Sequence, residues 1–400
     1  MTSPAATAPG SWTVTPAMPT TSSWDGQHDA PVLLNDSTNG DRVLAVGGSD
    51  GTATGALNST AFYSPAHATW TAAGNLTTGR RRHTVTVLFD QNVLVTGGIP
   101  GGSAYPQAGL PTAEIYDQTA KTWTATTASM TTARWGHSAI RLSDKRVLVA
   151  GGTTTRSATS LKALAVAEIY DPAAKTWTAT TNAMTDPRSG HAAVLLPGGK
   201  VLVVGGSVPI QQGVDAALAY CEIFDPANQT WTPAATLHEP RSLHQATLLS
   251  GGTHVLVTGG SAPLAGANGG FDPFTRQTAE LYDIAKDTWT ELPPMPGGRA
   301  YHRAVAVGTN QVLVIGGTGS ARADIGYESA VLFDKALLDQ GRNPWTSVAA
   351  LTEGRWGFGA VALTGGTKVV VTGGVARSGL AAAVPDKAEL VQDTEVWSGS

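Results

Sequence analysis

The sequence predicts an all-β protein: a seven-bladed β-propeller of four-stranded antiparallel blades, closed by pairing of the N- and C-terminal strands. Three observations predict it. Glycine pairs end a β-branched run seven times, with first glycines at 47, 97, 151, 205, 259, 316 and 373. A tryptophan follows each pair: Trp70, Trp123, Trp177, Trp231, Trp289, Trp345 and Trp397. Between these marks lie short β-branched or aromatic runs bounded by Gly, Pro, Asn or Asp, and no long 3.6-residue apolar period. A repeat of 50 to 57 residues holding four such runs reads as a propeller blade. Residues 1–400 read as one domain of these repeats.

One period reads cleanly in residues 188–231. Strand a is "RSGHAAVLL", strand b is "KVLVVGG", strand c is "CEIFDP" and strand d is "QTWT". The ends need a closure. "SWTVT" at 11–15 looks like a strand d with nothing before it. The last repeat offers "AELVQ" at 388–392 as strand c and a cramped strand d around Trp397. Trp12 is expected in the outer strand of the last blade, and Trp397 is the alternative for that place.

Composition excludes several partners. Net charge is -4 and only 14% of residues are charged, so no basic surface invites nucleic acid. No apolar run approaches the roughly 20 residues that a membrane-spanning helix needs. The start, "MTSPAATAPG", has neither the basic nor the apolar region of a secretory signal, although a longer precursor stays open. A cytoplasmic monomer is the expectation. Cys221 is the single cysteine, so neither a disulfide framework nor a cysteine-rich metal site is expected.

The glycine pair after strand b, the "AEIYDP" strand from Ala167 to Pro172 and the following Trp177 resemble the kelch repeat. The chain is similar to a bacterial single-domain kelch-repeat β-propeller, and the resemblance repeats seven times over almost its whole length. It speaks for the fold. Propellers host many functions, so function must be argued from a site.

Strand direction selects a face. The a–b and most c–d turns are tight, for example "PGGK" and "DPAAKT"; the 334–344 excursion is the exception. The b–c loops are long in every repeat, and loops on a rigid scaffold carry function. They bring Tyr105, Phe271, Phe274, Arg276, Arg322, Asp324 and Tyr327 to the face shared by the b–c and d–a connections. That face, at the channel mouth, is the expected binding face.

An Arg-x-x-His pair opens strand a in five repeats: Arg80/His83, Arg134/His137, Arg188/His191, Arg241/His244 and Arg299/His302. The first repeat offers Asp25/His28 and the last Arg355/Phe358. A catalytic pair is needed once, so five copies read as scaffold. Strand c carries Glu114, Glu168, Glu222, Glu280 and Glu389, which suggests an Arg–Glu ion pair inside each blade. Arg299 faces Val331 and breaks that rule. A ring of metal-binding histidines is disfavoured, because the histidines come one per blade.

The residues between Arg and His vary, and variety is what a site needs. They implicate Trp24, Arg81, Arg82, Trp135, Trp356 and Phe358 in substrate binding, with Asp25 and Tyr301 as candidate catalytic groups. The mixture resembles a small-molecule pocket with a few polar groups. Asp25 in an aromatic surround would have a raised pKa and act as acid or base. Tyr301 would donate a proton or hold an oxyanion, and Arg81 or Arg82 would orient an anionic substrate.

Three functions follow. The favoured one is a small-molecule enzyme without a cofactor, an isomerase, lyase or cyclase in biosynthesis, which the resemblance permits because a sialic-acid mutarotase and plant specifier proteins are kelch-type. The second is a scaffold for a protein or peptide, which the resemblance also implies, though no room is expected here for a partner-recruiting domain. The third, a copper radical oxidase similar to galactose oxidase, needs a cross-linked Cys; Cys221 instead stands in the small-residue slot of Ala113, Ala167, Ala279, Ala330 and Ala388 and reads as a core thiol.

Overall fold

The computed structural model describes residues 9–26, 28–36, 40–102, 108–157, 160–211, 214–262, 275–319, 325–384 and 387–399. Gln27, Tyr105, Phe271, Phe274, Arg322 and Asp324 lie outside the described residues. Seven four-stranded antiparallel sheets form the blades of a β-propeller. Blade 4 is typical: Ala192–Leu195, Val201–Val204, Cys221–Asp225 and Thr230–Ala234 pair in chain order. The inner strands a of neighbouring blades touch one another round a closed ring.

Strand b is the most apolar element because it is buried on both faces. "VLVV" at Val201–Val204 is fully buried. Val201 and Val203 pack toward blade 3 with Leu148 and Ile169. Leu202 and Val204 pack toward blade 5 with Val255 and Val257. Two-residue alternation therefore supplies both blade interfaces from one strand.

Closure differs from one expectation and meets another. Trp12 does sit in the outer strand of blade 7: Ser11–Thr15 pairs with Thr394–Ser398, placing Trp12 opposite Trp397. Strand c of that blade is Thr394–Ser398, not 388–392, and Trp397 belongs to it, opposite Val369. The reason lies in register. Glu395 stands opposite Val371 as Glu168 stands opposite Val149, so only this strand offers Arg355 its carboxylate. Glu389–Leu390 instead pairs with Val375–Arg377 in a small loop hairpin, and Ala388 lies outside the strand-c slot.

The long c–d excursion folds into a short helix, Lys335–Asp339, capped by the Asp334 carboxylate, which accepts from Ala336 N–H. Among the described residues, no helix is long and apolar enough to cross a membrane.

Candidate functional site at the channel mouth

The repeated arginines are scaffold. Arg80, Arg134, Arg188, Arg241 and Arg355 are fully buried, and each meets a strand-c carboxylate at 2.6–2.8 Å. Each guanidinium also donates to two backbone carbonyls of its own blade, as Arg188 does to Gly205 and Tyr220. The carboxylate accepts from the incoming d–a connection as well, as Glu222 does from Thr185 N–H at 2.8 Å. One pair thus ties three segments of a blade together. Blade 6 lacks the carboxylate: Arg299 donates to Gly316, Ser329 and Pro296, and burial first lowers its pKa to about 10. There Pro296, without an N–H, stands where Thr185 donates in blade 4.

Three of the repeat histidines, His137, His191 and His302, staple blade to blade. His191 Nε2 lies 2.9 Å from Ser138 Oγ, and His302 Nε2 lies 2.8 Å from Thr258 Oγ1. Burial first, then the adjacent arginine, lowers the pKa of His83, His137, His191, His244 and His302, so all five are neutral. Phe358 occupies the same slot in blade 7, against Gly316, and Trp24 occupies it against Gly373.

That last contact corrects the alignment of the first repeat. Ser22 O accepts from Gly374 N–H as Arg355 O accepts from Gly317 N–H. Ser22, not Asp25, therefore takes the arginine place, and its hydroxyl donates to Gly47 O at 2.7 Å. Trp24 is buried, donates from Nε1 to Val46 O and packs against Met18 and Ala45. Asp25 is left beyond the pattern, free to enter the channel mouth.

A ring of left-handed residues shapes that mouth. Two residues after six of the seven arginine places stand Arg82, Gly136, Gly190, Leu243, Tyr301 and Gly357, all with φ between 51° and 61°. Neighbours are joined by backbone bonds, Gly136 N–H to Arg82 O and Gly190 N–H to Gly136 O, each at 3.0 Å. Glycine takes this conformation freely, whereas Arg, Leu and Tyr are strained there by about 1–3 kcal/mol, and such strain collects at functional sites. Gly136 and Gly190 leave room; Arg82, Leu243 and Tyr301 form walls.

The result is a cavity of about 120 Å³ lined by Asp25, Arg82, Trp135, Ser189, Ser207, Ser242, Leu243 and Tyr301, among others. Two b–c hairpins add Thr153, Leu161, Pro209 and Asp215. Arg82 Nε and Nη2 both donate to Asp25 Oδ2, at 2.9 and 2.6 Å. The guanidinium carbon lies 5.3 Å from the centre of the Trp135 ring, and Trp356 backs Tyr301 at 5.3 Å.

Electrostatics overturn one expectation. Burial pushes the Asp25 pKa up, but the Arg82 charge and hydrogen bonds, helped by Arg81, outweigh it; the net shift is downward, not upward. The buried surround raises Tyr301 to about 12. Beneath the cavity lies a pair the sequence reading missed. Asp29 is fully buried, accepts from Gly26 N–H and is raised to about 7, by burial first. Arg303 donates to Phe358 O, Gly26 O and Trp24 O and comes within 3.5 Å of Asp29. The signal was available: at the Arg303 place other blades carry Thr84, Ser138, Ala192, Gln245 or Gly359.

Of the residues singled out from sequence, Asp25, Arg82, Trp135 and Tyr301 meet in the cavity. Trp356 supports its wall. Arg81 turns away, donating to Ala53 O at 2.7 Å. Trp24 and Phe358 are core residues rather than cavity walls.

The family model of the KLHDC2/KLHL20/DRC7 Kelch-repeats domain matches residues 37–260 and 83–317. The chain belongs to the kelch-repeat family. Among curated relatives it is 27% identical to human Kelch-like protein 34, over 62% of this chain and 36% of that protein. It is 29% identical to human Kelch domain-containing protein 3, over 47% of this chain and 48% of that protein. It is 30% identical to Kelch-like protein terF of Aspergillus terreus, over 37% of this chain and 31% of that protein. The kelch chain thus spans about half or less of these relatives. Two solved structures share the fold. A fungal alcohol oxidase of the AA5 family in complex with copper has TM-score 0.70 and 18% identity, over 98% of this chain and 76% of its own. YjhT has TM-score 0.56 and 16% identity, over 79% and 93%.

The residues do not fit a copper centre. Cys221 is buried in a strand with its thiol pushed up to about 12, by burial first. Among the described residues, no three His, Cys, Asp or Glu side chains converge as a metal site would require.

Proposed function

We propose that this kelch propeller is a ligand-binding module whose channel-mouth cavity receives one small polar group of a small molecule. The observation that carries the reading is the Arg82–Asp25 pair, set among Trp135, Tyr301 and an arc of serine hydroxyls. The cavity is small, so it suits the polar end of a ligand. Aromatic faces with a few placed polar groups are the usual composition of such sites.

The titration behaviour supports binding over proton transfer. Asp25 stays ionised below the usual carboxylate range, which makes it a poor general acid and a weak base near neutral pH. Tyr301 stays protonated and donates a hydrogen bond. Both groups hold; neither is tuned to move a proton at pH 7.

A thermal-shift screen of small neutral, acidic and basic metabolites tests the reading. At least one compound is expected to raise the melting temperature of the wild type and to lose that effect in Arg82→Ala. A compound that stabilises both equally would place its site elsewhere, and a screen in which nothing binds would remove the reading.

A further inference from the structure

We infer that the cavity selects an uncharged group presenting a hydrogen-bond donor and acceptor on adjacent atoms, as a primary carboxamide does, and rejects carboxylates. The inference rests on the cavity being the ligand site. It departs from the simplest expectation for an arginine-bearing pocket, which is an anionic ligand.

Arg82 has one terminal nitrogen left to offer. Its Nε and Nη2 are both directed at Asp25 Oδ2. Among the described residues Nη1 finds no acceptor, and it is not closed off by burial, so it is open to a ligand. Among the described residues Asp25 Oδ1 takes no hydrogen bond from another side chain and is open in the same sense. The paired residues thus present one cationic donor and one anionic acceptor to the same cavity. A carboxamide answers both, its N–H meeting Asp25 Oδ1 and its C=O meeting Arg82 Nη1. Tyr301 O–H, kept protonated, is a second donor for the carbonyl oxygen.

Charge balance argues the same way. Arg82 is neutralised by Asp25 at 2.6 Å, and a second carboxylate, Asp215, stands on the cavity lining. Arg81, the nearest further cation in sequence, is turned to Ala53 O. A carboxylate entering here would meet Asp25 and Asp215 with one guanidinium on the lining, already paired, while Arg303 beneath is engaged with Asp29 and backbone carbonyls. A methylammonium would meet Arg82. A neutral donor–acceptor group meets neither repulsion, and like-charge juxtaposition is how sites exclude wrong ligands.

Acetamide, acetate and methylammonium are near-isosteric probes that differ in charge. The readout is the ¹⁵N indole signal of Trp135, assigned by its loss in Trp135→Phe. Acetamide is expected to shift it saturably, while acetate and methylammonium at equal concentration leave it in place. Asp25→Asn should weaken acetamide about tenfold, the loss expected for one charge-assisted bond. The same variant frees the Arg82 charge, so acetate should begin to bind. The other indole signals report that the variant is folded. Asp215→Asn removes one of the two repelling carboxylates but not the pair, so acetamide should still bind as in wild type while the rejection of acetate weakens. If wild type prefers acetate or methylammonium, the inference is overturned while the cavity remains the ligand site. If no probe moves Trp135, both fail.

Discussion

Two arginines stand two residues apart in blade 2 and do opposite jobs. Arg80 is fully buried, meets Glu114 at 2.7 Å and has four paired counterparts around the ring. Arg82 is one-third exposed, holds a left-handed backbone and meets Asp25, which comes from outside the repeat pattern. The first pair sits where water cannot reach, so its loss leaves an uncompensated charge. The second sits where solvent or a ligand can replace either partner. Repetition marks the scaffold, and its local failure marks the site.

The largest break in that contrast comes from the scaffold. Arg188→Met strands Glu222, with its Thr185 and Asp186 N–H donors but no cation. A loss of about 3–5 kcal/mol is expected, read as a lower urea midpoint. Arg299 has no carboxylate to strand, so Arg299→Met should cost less than half as much, about 1–2 kcal/mol. Equal losses would show that the carbonyl bonds, not the ion pair, carry the effect.

The two aspartates of the mouth should respond to pH in opposite senses. The folded-state pKa of Asp29 is raised to about 7, so the native state holds its proton more tightly than the unfolded chain. Its stability contribution is therefore lost as pH rises, and wild type should fall relative to Asp29→Asn between about pH 4 and pH 7, then level off. Asp25 is shifted downward, so its contribution is present near neutral pH and lost on acidification. The advantage of wild type over Asp25→Asn should be flat from pH 8 to 5 and shrink below about pH 4, and for a partly exposed pair it should stay under about 1 kcal/mol. Parallel slopes for the two variants would contradict the placement of Asp29 as buried and Asp25 as paired.

Much of the blade was legible because it is periodic. Gly-pair spacing, β-branched runs and the strand-d tryptophans each follow from local chain chemistry repeated seven times. The Arg–Glu pair was legible for the same reason. The first and last repeats were misread where the period fails. Asp25 looked like a substituted arginine because it precedes His28 by three, yet hydrogen bonding puts Ser22 in that place. Glu389 looked like the last strand-c glutamate, yet Glu395 pairs with Arg355 at 2.6 Å. A chain end has only one neighbouring repeat to be compared with, and register there is set by the partner strand.

The sequence by itself determined the blade: which residues are strand, which face neighbouring blades and which charges pair inside. These are short-range matters of pleat, burial and pairing. Only the tertiary structure decided the site. Closing the ring brings Asp25, from the first repeat, to Arg82 in blade 2 and Tyr301 in blade 6, and sets Arg303 beneath them. No local rule relates residues 276 positions apart, as 25 and 301 are. What relates them is the geometry of seven blades meeting at one channel, where left-handed turns aim Arg82, Leu243 and Tyr301 at a shared space.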